Sequence, residues 1–490
     1  MPGGLRLAHA SDNKVGFRWN GSLLHGRKGD SIAAALHGAG IKTLAHSRKF
    51  HAPRGLSGSF VAGQLAQVEG TPHVRLDQTW LREGVNVVSQ HSWPSPRFDV
   101  LSLSNLIPRK WLRAGFENPR FIRDGTRLWH LWEKALWHVA GEVDISRNPH
   151  GKQVEGLRID VDVLVIGGGP AGIAAALAAK GNVLMVTRGR DLGGAVWETH
   201  AKPVELPKNI TVRTEHEVFG LFKNGRVALS APTAADRPAA VIHAKSVVLA
   251  IGKRSMPPPV AGADLPGVMD PHMAHHLAAR HGVAPGQNIL VVGTAQGRAV
   301  ARGLKALGCN VVDFVDAARL TKITGRKCVE GAIIDGRTIR VDCIVHAGPY
   351  KTDPSLGFQA GADGDLRLLA GDMPSNVTLS GFATTPDERI TVSQKPDRKA
   401  LVCPCMDVTA DEVFDLLDAG TTHLEELKRL TTCGMGPCQG FPCWFTLDAF
   451  CAAHTGEQQE NQPLPTFRPP RRALTFGQAA GLSDLTEVDK

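Results

Sequence analysis

Val161-Asp162-Val163-Leu164-Val165-Ile166, Gly167-Gly168-Gly169-Pro170-Ala171-Gly172 and Ile173-Ala174-Ala175-Ala176-Leu177-Ala178-Ala179-Lys180 follow one another without a break. The first run is short, β-branched and mostly apolar, the pattern of a buried parallel strand. The last is Ala-rich and predicts a helix that opens directly after the glycines. Between them the spacing is Gly-x-Gly-x-x-Gly. Gly167 turns the chain sharply, Gly169 lets the backbone approach a pyrophosphate, and Gly172 lets the helix pack close on the strand. The helix N-terminus offers unpaired N–H groups to the phosphates, which adds Pro170 and Ala171 to the candidate site. A strand, a glycine loop and a helix predict the first half of a dinucleotide-binding βαβ unit. An ordinary tight turn is the alternative, and the correct flanks on both sides argue against it.

Working outward, Asn182 to Val186 (NVLMV) reads as the next strand, about 20 residues beyond Gly167. An acidic residue commonly closes that strand and accepts from an adenosine ribose. Thr187 and Arg188 stand there instead, and Arg188 would suit an extra phosphate. Gly193, Gly194 and Trp197 follow, where flavoproteins with two dinucleotide folds pass close to the flavin. The chain lacks the cysteine pair that faces the flavin in the disulfide reductases of that group, so it is no thiol reductase. Ser246 to Gly252 (SVVLAIG) reads as a second strand ending in a small-residue turn at Ala250 and Gly252. Asn288 to Val292 (NILVV) opens an inserted second dinucleotide domain. Its loop, Gly293-Thr294-Ala295-Gln296-Gly297, has Ala295 for the second glycine and no third, which argues against NAD(P) binding there. Val341 to Gly348 (VDCIVHAG) reads as the return to the first domain and Asn376 to Gly381 (NVTLSG) as its last strand. Phe382 follows, where flavoproteins of this kind have an Asp.

Composition narrows the class. The 490 residues are 42% hydrophobic and 21% charged, ordinary values for a globular chain of several domains. The net charge of +9 is dispersed, and one tyrosine leaves little for base stacking, so nucleic acid is not an expected partner. No apolar stretch approaches the roughly 20 residues that span a bilayer, so no integral membrane segment is expected. The N-terminus lacks the basic-then-apolar pattern of a signal peptide. The cytoplasm is the default location, with peripheral contact to the inner membrane through electron acceptors as the variant.

Cysteine placement says more. Residues 1–308 contain none, and six of the nine lie between Cys403 and Cys451. Clustered thiols in such a chain hold a metal more often than they form disulfides. Cys403-Pro404-Cys405 is followed, after 32 residues, by Cys438 and then Cys443. Between the pairs, Thr409 and Glu412 form a capping box that opens a helix through Asp418, which Gly420 ends. A second helix is predicted over His423 to Leu430. Pro442 suits a first helical position, which puts Cys443 where the helix dipole favours a thiolate. Four thiolates suit a [2Fe-2S] cluster or zinc, and a zinc ribbon would show two Cys-x-x-Cys pairs. His272, His275 and His276 have no acidic or thiol partner in pattern and read as a solvated helix face.

The N-terminal unit predicts an Asn20-Gly21 hairpin, a helix from Asp30 to Gly40 capped by Asp30, and a strand-rich second half from Gly58 to Gln90. This order resembles the β-grasp fold of plant-type ferredoxins. The stretch GDSIAAALHGAGIKTLAHSRKFHAPRGLSGS is similar to the N-terminal region of sarcosine oxidase α subunits. Relatives with a cluster carry cysteines just after the Arg-Gly, where this chain has Leu56-Ser57-Gly58-Ser59-Phe60, so no cluster is expected there. The connector that follows is basic (Arg109, Lys110, Arg113, Arg120, Arg123, Arg127) and then Trp-rich (Trp129, Trp132, Trp137). A partner-subunit surface and a helix packing its Trp face on its own core are equally consistent with it. The tail from residue 455 reads as an extended arm.

The segment VCPCMDVT…LKRLTTCGMGPCQGFPC resembles the bacterioferritin-associated-ferredoxin-like [2Fe-2S] domain. The similarity is to the version fused to FAD subunits of hydrogen cyanide synthase, opine oxidases and dye-linked proline dehydrogenases. The resemblance implies Cys403, Cys405, Cys438 and Cys443 as ligands. Cys433 falls outside the pattern and reads as a spare or buried thiol, and Phe441 replaces the family's Arg. The implied fold is α/β: a two-dinucleotide-binding-domain flavoprotein, Rossmann-like with parallel sheets. An N-terminal β-grasp ferredoxin-like domain and a small helical C-terminal [2Fe-2S] domain flank it. Expected boundaries are 1–100 (β-grasp), 101–158 (connector), 159–275 (FAD domain), 276–340 (inserted domain), 341–395 (FAD-domain return), 396–455 ([2Fe-2S] domain) and 456–490 (tail).

Functionally the resemblance implies the electron-transfer α subunit of a hetero-oligomeric amine or amino-acid oxidase or dehydrogenase. Its cofactors would be FAD and a [2Fe-2S] cluster, with FMN at a subunit interface in some members. Its partner would be a catalytic FAD-containing β subunit, similar to D-amino-acid oxidase and the sarcosine oxidase β subunit, with a further small subunit in some assemblies. No Ser/His/Asp or paired-carboxylate pattern stands out for bond chemistry within this chain, so no catalytic residue is assigned. The alternatives are a self-contained NAD(P)H:acceptor oxidoreductase and a non-catalytic scaffold subunit.

Overall fold

The computed structural model describes residues 5–106, 127, 129–130, 154–194, 204–234, 237–362, 373–392, 397–459, 462–465, 472 and 474–487. Most of the Trp-rich connector, and Trp197 of the candidate flavin site, lie outside the described residues. The chain divides into two compact units: residues 1–147, 256–348 and 390–457, and residues 148–255, 349–389 and 458–490.

In the first unit, β1 (Lys14–Trp19) and β2 (Ser22–Arg27) form the expected hairpin. Asn20 and Gly21 turn it with φ of 47° and 80°, as a type I′ turn requires. Helix α1 (Ile32–Gly38) is capped by Ser31, whose Oγ accepts from the Ala34 N–H at 3.2 Å. The expected cap, Asp30, is engaged elsewhere: its two carboxylate oxygens accept from Arg6 at 3.1 and 2.6 Å. Ile32 through Leu36 are buried, so the helix serves as the core of this domain. β3 (Leu65–Val68), β4 (Thr71–Arg75) and β5 (Asn86–Ser89) complete a sheet in the order β2-β1-β5-β3-β4, with β1 and β5 parallel. This is the β-grasp arrangement.

The second unit is built on β6 (Leu157–Ile166), which enters α2 (Pro170–Ala178) through the glycine loop. β7 (Val183–Val186) and β8 (Ile210–Arg213) extend the sheet on one side, all parallel. β9 (His216–Phe222) and β10 (Val227–Pro232) lead back through β11 (Ala240–Leu249), which lies parallel to β6 on its other side. The order is β8-β7-β6-β11-β10-β9, so connections leave β6 in opposite directions. That switch point opens a crevice beyond the carboxyl ends of β6 and β11.

The chain then enters the first unit again. β12 (Val268–Met269), α3 (Pro271–His281), β13 (Ile289–Gly293), α4 (Gly297–Ala306), β14 (Val311–Asp316) and β15 (Cys343–Ala347) form a four-stranded parallel sheet with its helices, order β12-β15-β13-β14. This corrects the expected return at residue 341. β15 is a central strand of the inserted domain, and β12 and α3 also belong to that domain, ahead of the expected start at 276. Both sheets use fully buried β-branched runs ending in small residues, so periodicity cannot say which sheet such a run joins. The chain returns to the second unit at residue 349, where Tyr350 and Lys351 pair with Ser255 and Arg254, and its last strand there is β16 (Val377–Leu379), parallel to β11.

The last part of the first unit pairs β17 (Leu401–Cys403) with β18 (Val408–Thr409) and packs α5 (Ala410–Asp418), α6 (Leu424–Thr431) and α7 (Phe441–Thr455) around them. The Thr409 half of the capping box is present: Thr409 Oγ1 accepts from the Glu412 N–H at 3.3 Å. The tail departs from the expected arm. It ends in α8 (Phe476–Glu487), which returns to the second unit's sheet and buries Leu482 in a cluster with Phe219 and Val241. Gln478 Nε2 donates to the carbonyls of Ala234 and Arg237, at 3.2 and 3.3 Å. α8 has no apolar stripe of its own to read, which is why its sequence resembled a linker. No helix among the described residues is long and apolar enough to cross a membrane.

Candidate functional site

The glycine loop is shaped by contacts that a side chain would destroy. Gly167 has φ 117°, and a Cβ there would lie 2.2 Å from the Ala250 carbonyl oxygen. A Cβ on Gly172 would lie 1.9 Å from the carbonyl oxygen of Gly167, so the helix can start this close only with glycine. Gly169 is different: nothing stands within 4 Å of the Cβ position, so its backbone faces open space. Gly169 caps α2 with no side-chain hydrogen bond, and Pro170 takes the first turn. The first N–H groups of α2 are therefore available to an anion. Gly252, beyond β11, also has open space beside it, at φ 64°. Gly193 donates its N–H to the Gly168 carbonyl at 2.8 Å, and Gly194 lies against Gly169, which brings the predicted second glycine pair to the cradle. These residues fit a dinucleotide pyrophosphate.

Two positions depart from the usual acids. Thr187 ends β7 with its side chain close to Gly168, at the cradle's edge. Arg188 is exposed and pairs with Glu217 at 3.6 Å. Gly381 presses against Ala171 at the helix start, as the closing strand of such a site should. Phe382 packs edge-on against Tyr350, ring centres 5.6 Å apart, with the Lys253 ammonium 5.1 Å from its ring. Lys253 is buried; it donates to the Thr385 and Pro386 carbonyls and pairs with Asp387 at 2.9 Å. A buried Lys–Asp pair and an aromatic contact thus stand where a lone carboxylate was expected.

The second glycine loop keeps only the first contact. A Cβ on Gly293 would lie 2.1 Å from the Ala347 carbonyl oxygen, the same close approach as Gly167 to Ala250. Ala295 and Arg298 occupy the other two glycine positions, and Arg298 stacks its guanidinium 5.0 Å from the Phe314 ring. Nearby, the expected solvated histidine face is only partly so: His276 meets His281 edge-on, Nε2 to Nε2 3.3 Å, and burial lowers its pKa to about 3.

The C-terminal domain brings its thiols together. Cys405 Sγ donates to Cys438 Sγ at 3.2 Å. The Sγ atoms of Cys403, Cys433 and Cys443 all lie within 4.8 Å of one another, and all three side chains are buried. Cys443 also shares a hydrogen bond with Cys438, so the five sulfurs form one connected cage. The β17–β18 turn supplies Cys403 and Cys405, the loop before α7 supplies Cys433 and Cys438, and the first turn of α7 supplies Cys443. The family spacing identifies four of these five and leaves Cys433, read as a spare or buried thiol, outside the pattern. Phe441, in place of the family's Arg, is buried and meets Phe445 edge-on at 5.5 Å. Cys309, Cys343 and Cys451 are buried away from the cage, and burial raises the Cys309 thiol to about 11 and Cys451 to about 12.

Electrostatics single out Cys403. The thiols of Cys433 and Cys443 donate to its sulfur, and the Gly434 N–H adds a contact at 3.5 Å, holding Cys403 well below the usual thiol range. Hydrogen bonding raises the others: Cys405 through Cys438, and Cys433 and Cys443 through Cys403, with burial adding in each case. A soft, water-poor nest of at least four thiol donors fits a [2Fe-2S] cluster or another thiophilic metal.

Both sites fall in segments that match known families. Residues 12–92 match the family of 2Fe-2S iron-sulfur cluster binding domains, residues 161–332 that of pyridine nucleotide-disulphide oxidoreductases, and residues 397–482 the sarcosine oxidase A3 domain. The chain is 25% identical to the alpha subunit of sarcosine oxidase from Rhizobium meliloti (strain 1021), over 95% of its own length and 58% of the relative's. It therefore spans under two thirds of that protein. An opine oxidase subunit of the same organism is 36% identical over 87 residues, 18% of this chain and 19% of the relative. Among solved structures, L-proline dehydrogenase from P. horikoshii shares the fold, with a TM-score of 0.75 at 21% identity, covering 97% of this chain and 99% of that one.

Proposed function

Because the chain is a homologue of the sarcosine oxidase α subunit, we propose that it is the electron-transfer subunit of a hetero-oligomeric, flavin-dependent amine or amino-acid dehydrogenase or oxidase. A partner subunit carrying its own FAD oxidises the C–N bond of a substrate of the sarcosine, proline, hydroxyproline or opine kind, and this chain takes the electrons onward. The observation that carries the reading is one chain holding both an open glycine cradle and a buried thiol cage.

When bound, FAD would accept electrons in pairs or singly and the cluster one at a time, which is the chemistry of a relay. The chain's own residues position these groups. The Gly169 backbone and the first N–H groups of α2, with Pro170, Ala171 and Gly172 behind them, hold the pyrophosphate, and Ala250 and Gly252 line the crevice. Cys403, Cys405, Cys438 and Cys443 hold the cluster. The Gly434 N–H donates to Cys403 Sγ, and such a bond shifts a cluster's reduction potential upward by stabilising added negative charge.

The test is anaerobic addition of candidate amines to the complex co-expressed with its β subunit. The reading predicts that an amine reducing the partner's flavin also raises the paramagnetic signal of a reduced [2Fe-2S] cluster. Turnover of the amine with the cluster left oxidised would contradict it.

A further inference from the structure

A [2Fe-2S] cluster takes four thiolates, and the cage holds five. Resting on the cluster reading above, we propose that Cys433 is a reserve ligand that can take the place of Cys403 or Cys443. The five thiols are unevenly distributed. Cys405 and Cys438 face each other at 3.2 Å, while Cys403, Cys433 and Cys443 form a group within 4.8 Å. Two thiolates on one tetrahedral metal lie about 3.8 Å apart when each metal–sulfur bond is about 2.3 Å. Any two of the three lie no more than 4.8 Å apart, within reach of one iron, and one is in excess.

The backbone holds Cys433 in place independently of the sulfurs. Its N–H donates to Thr431 Oγ1 at 3.2 Å, and its carbonyl accepts from Trp444 Nε1 at 3.4 Å. Thr432 and Gly434, on either side, both have positive φ, 61° and 76°. A Cβ on Gly434 would lie 1.9 Å from Trp444 Nε1, so the indole clamps this turn. The turn is pinned on both flanks, and it aims the side chain into the cage. Cys309 and Cys343, by contrast, are buried thiols in another domain that neighbour each other but belong to no group of three metal-ligating side chains among the described residues, which is what a mere core cysteine looks like.

The exchange balances without an electron. An iron–sulfur bond to Cys433 forms as its thiol proton leaves to solvent, and the displaced cysteine sulfur takes up a proton. Cys433 groups with Cys403 and Cys443 and not with the Cys405–Cys438 pair, so the reserve covers one end of the cage alone.

The test compares alanine variants of the full chain, since alanine offers no oxygen ligand. Iron, acid-labile sulfide and the spectrum of the reduced cluster are measured on anaerobically purified protein. Cys443→Ala and Cys403→Ala should each keep most of the iron with altered g-values, whereas Cys405→Ala and Cys438→Ala should lose it. Adding Cys433→Ala to either of the first two should remove what remained. Equal loss in all four single variants would overturn the proposal. A second measurement avoids removing any primary ligand. Cys433→Ala alone should bind a full cluster but release iron to a chelator several-fold faster than the wild type, because no thiol recaptures an opened site. An unchanged release rate, or loss of the cluster in Cys433→Ala alone, would overturn the reserve role. A wild-type chain with no iron or sulfide would overturn the cluster reading itself.

Discussion

The N-terminal and C-terminal domains make a pair in which fold and ligand chemistry separate. The N-terminal domain matches a family named for its 2Fe-2S cluster, yet residues 1–308 contain no thiol. Its loop from Arg54 lines a void of about 10 Å³, the size of a single water. Arg54 ties that loop down, pairing with Asp264 at 2.7 Å and with Asp407 at 2.9 Å. The C-terminal domain matches a family whose name mentions no metal, yet it gathers five thiols. The donor atoms, not the fold, decide where a metal goes.

The comparison also makes the N-terminal domain a structural support, and that role can be broken. Asp407, two residues past Cys405, is fully buried and accepts from Arg54 and from the N–H groups of Lys49 and Phe50. Replacing Asp407 with Ala leaves the buried Arg54 guanidinium with Asp264 alone and strands two backbone donors. The expected cost is about 3–5 kcal/mol, read as a shift in denaturant midpoint. A change below about 1 kcal/mol would mean that the two domains do not lean on each other through this pair.

A smaller effect sharpens the contrast through pH. His37 and His46 are buried in the N-terminal domain, and burial lowers both pKa values to about 4. His37 faces Lys42 and Asp342 and donates to the Pro285 carbonyl at 2.9 Å; His46 faces Asp99, His51, Arg54 and Lys327. Unfolded histidine takes up a proton near pH 6.5, so between about 6.5 and 4 the unfolded chain binds more protons than the native one. The stability they contribute is complete above pH 6.5 and is lost as pH falls toward 4, on the order of 3 kcal/mol for each histidine. Asp30, Asp99 and Asp342, whose pKa values are held low, add their loss only below the usual carboxylate range. Denaturant midpoints at pH 7 and pH 5 should differ accordingly, and His46→Gln should flatten part of the slope.

Much of this is legible in the residues alone. The glycine loop, the Asn20-Gly21 hairpin and the Thr409 capping box are local devices, in which a few residues determine their own geometry. Cys403, Cys405, Cys438 and Cys443 are legible through family spacing. Cys433 is not, because its place depends on the left-handed turn at Thr432 and on the Trp444 clamp, neither of which has a spacing rule. β15 reads from its sequence as a strand of the FAD-type sheet and lies in the inserted one, because a buried parallel strand carries no mark of its neighbours. α8 is not legible in the residues because its stability comes from the sheet it docks on. Ser31 displaced Asp30 as a cap because Arg6, distant in sequence, claims the Asp30 carboxylate.

The most direct measurement is a cofactor inventory of the anaerobically purified chain and its Gly172→Val variant: iron, acid-labile sulfide, zinc and released flavin. The account predicts about two irons, two sulfides and one FAD per wild-type chain. In the variant the flavin should be gone, because no side chain fits against Gly167, and the iron should stay. Zinc in place of iron, four irons per chain, or a wild-type chain with no flavin would contradict it.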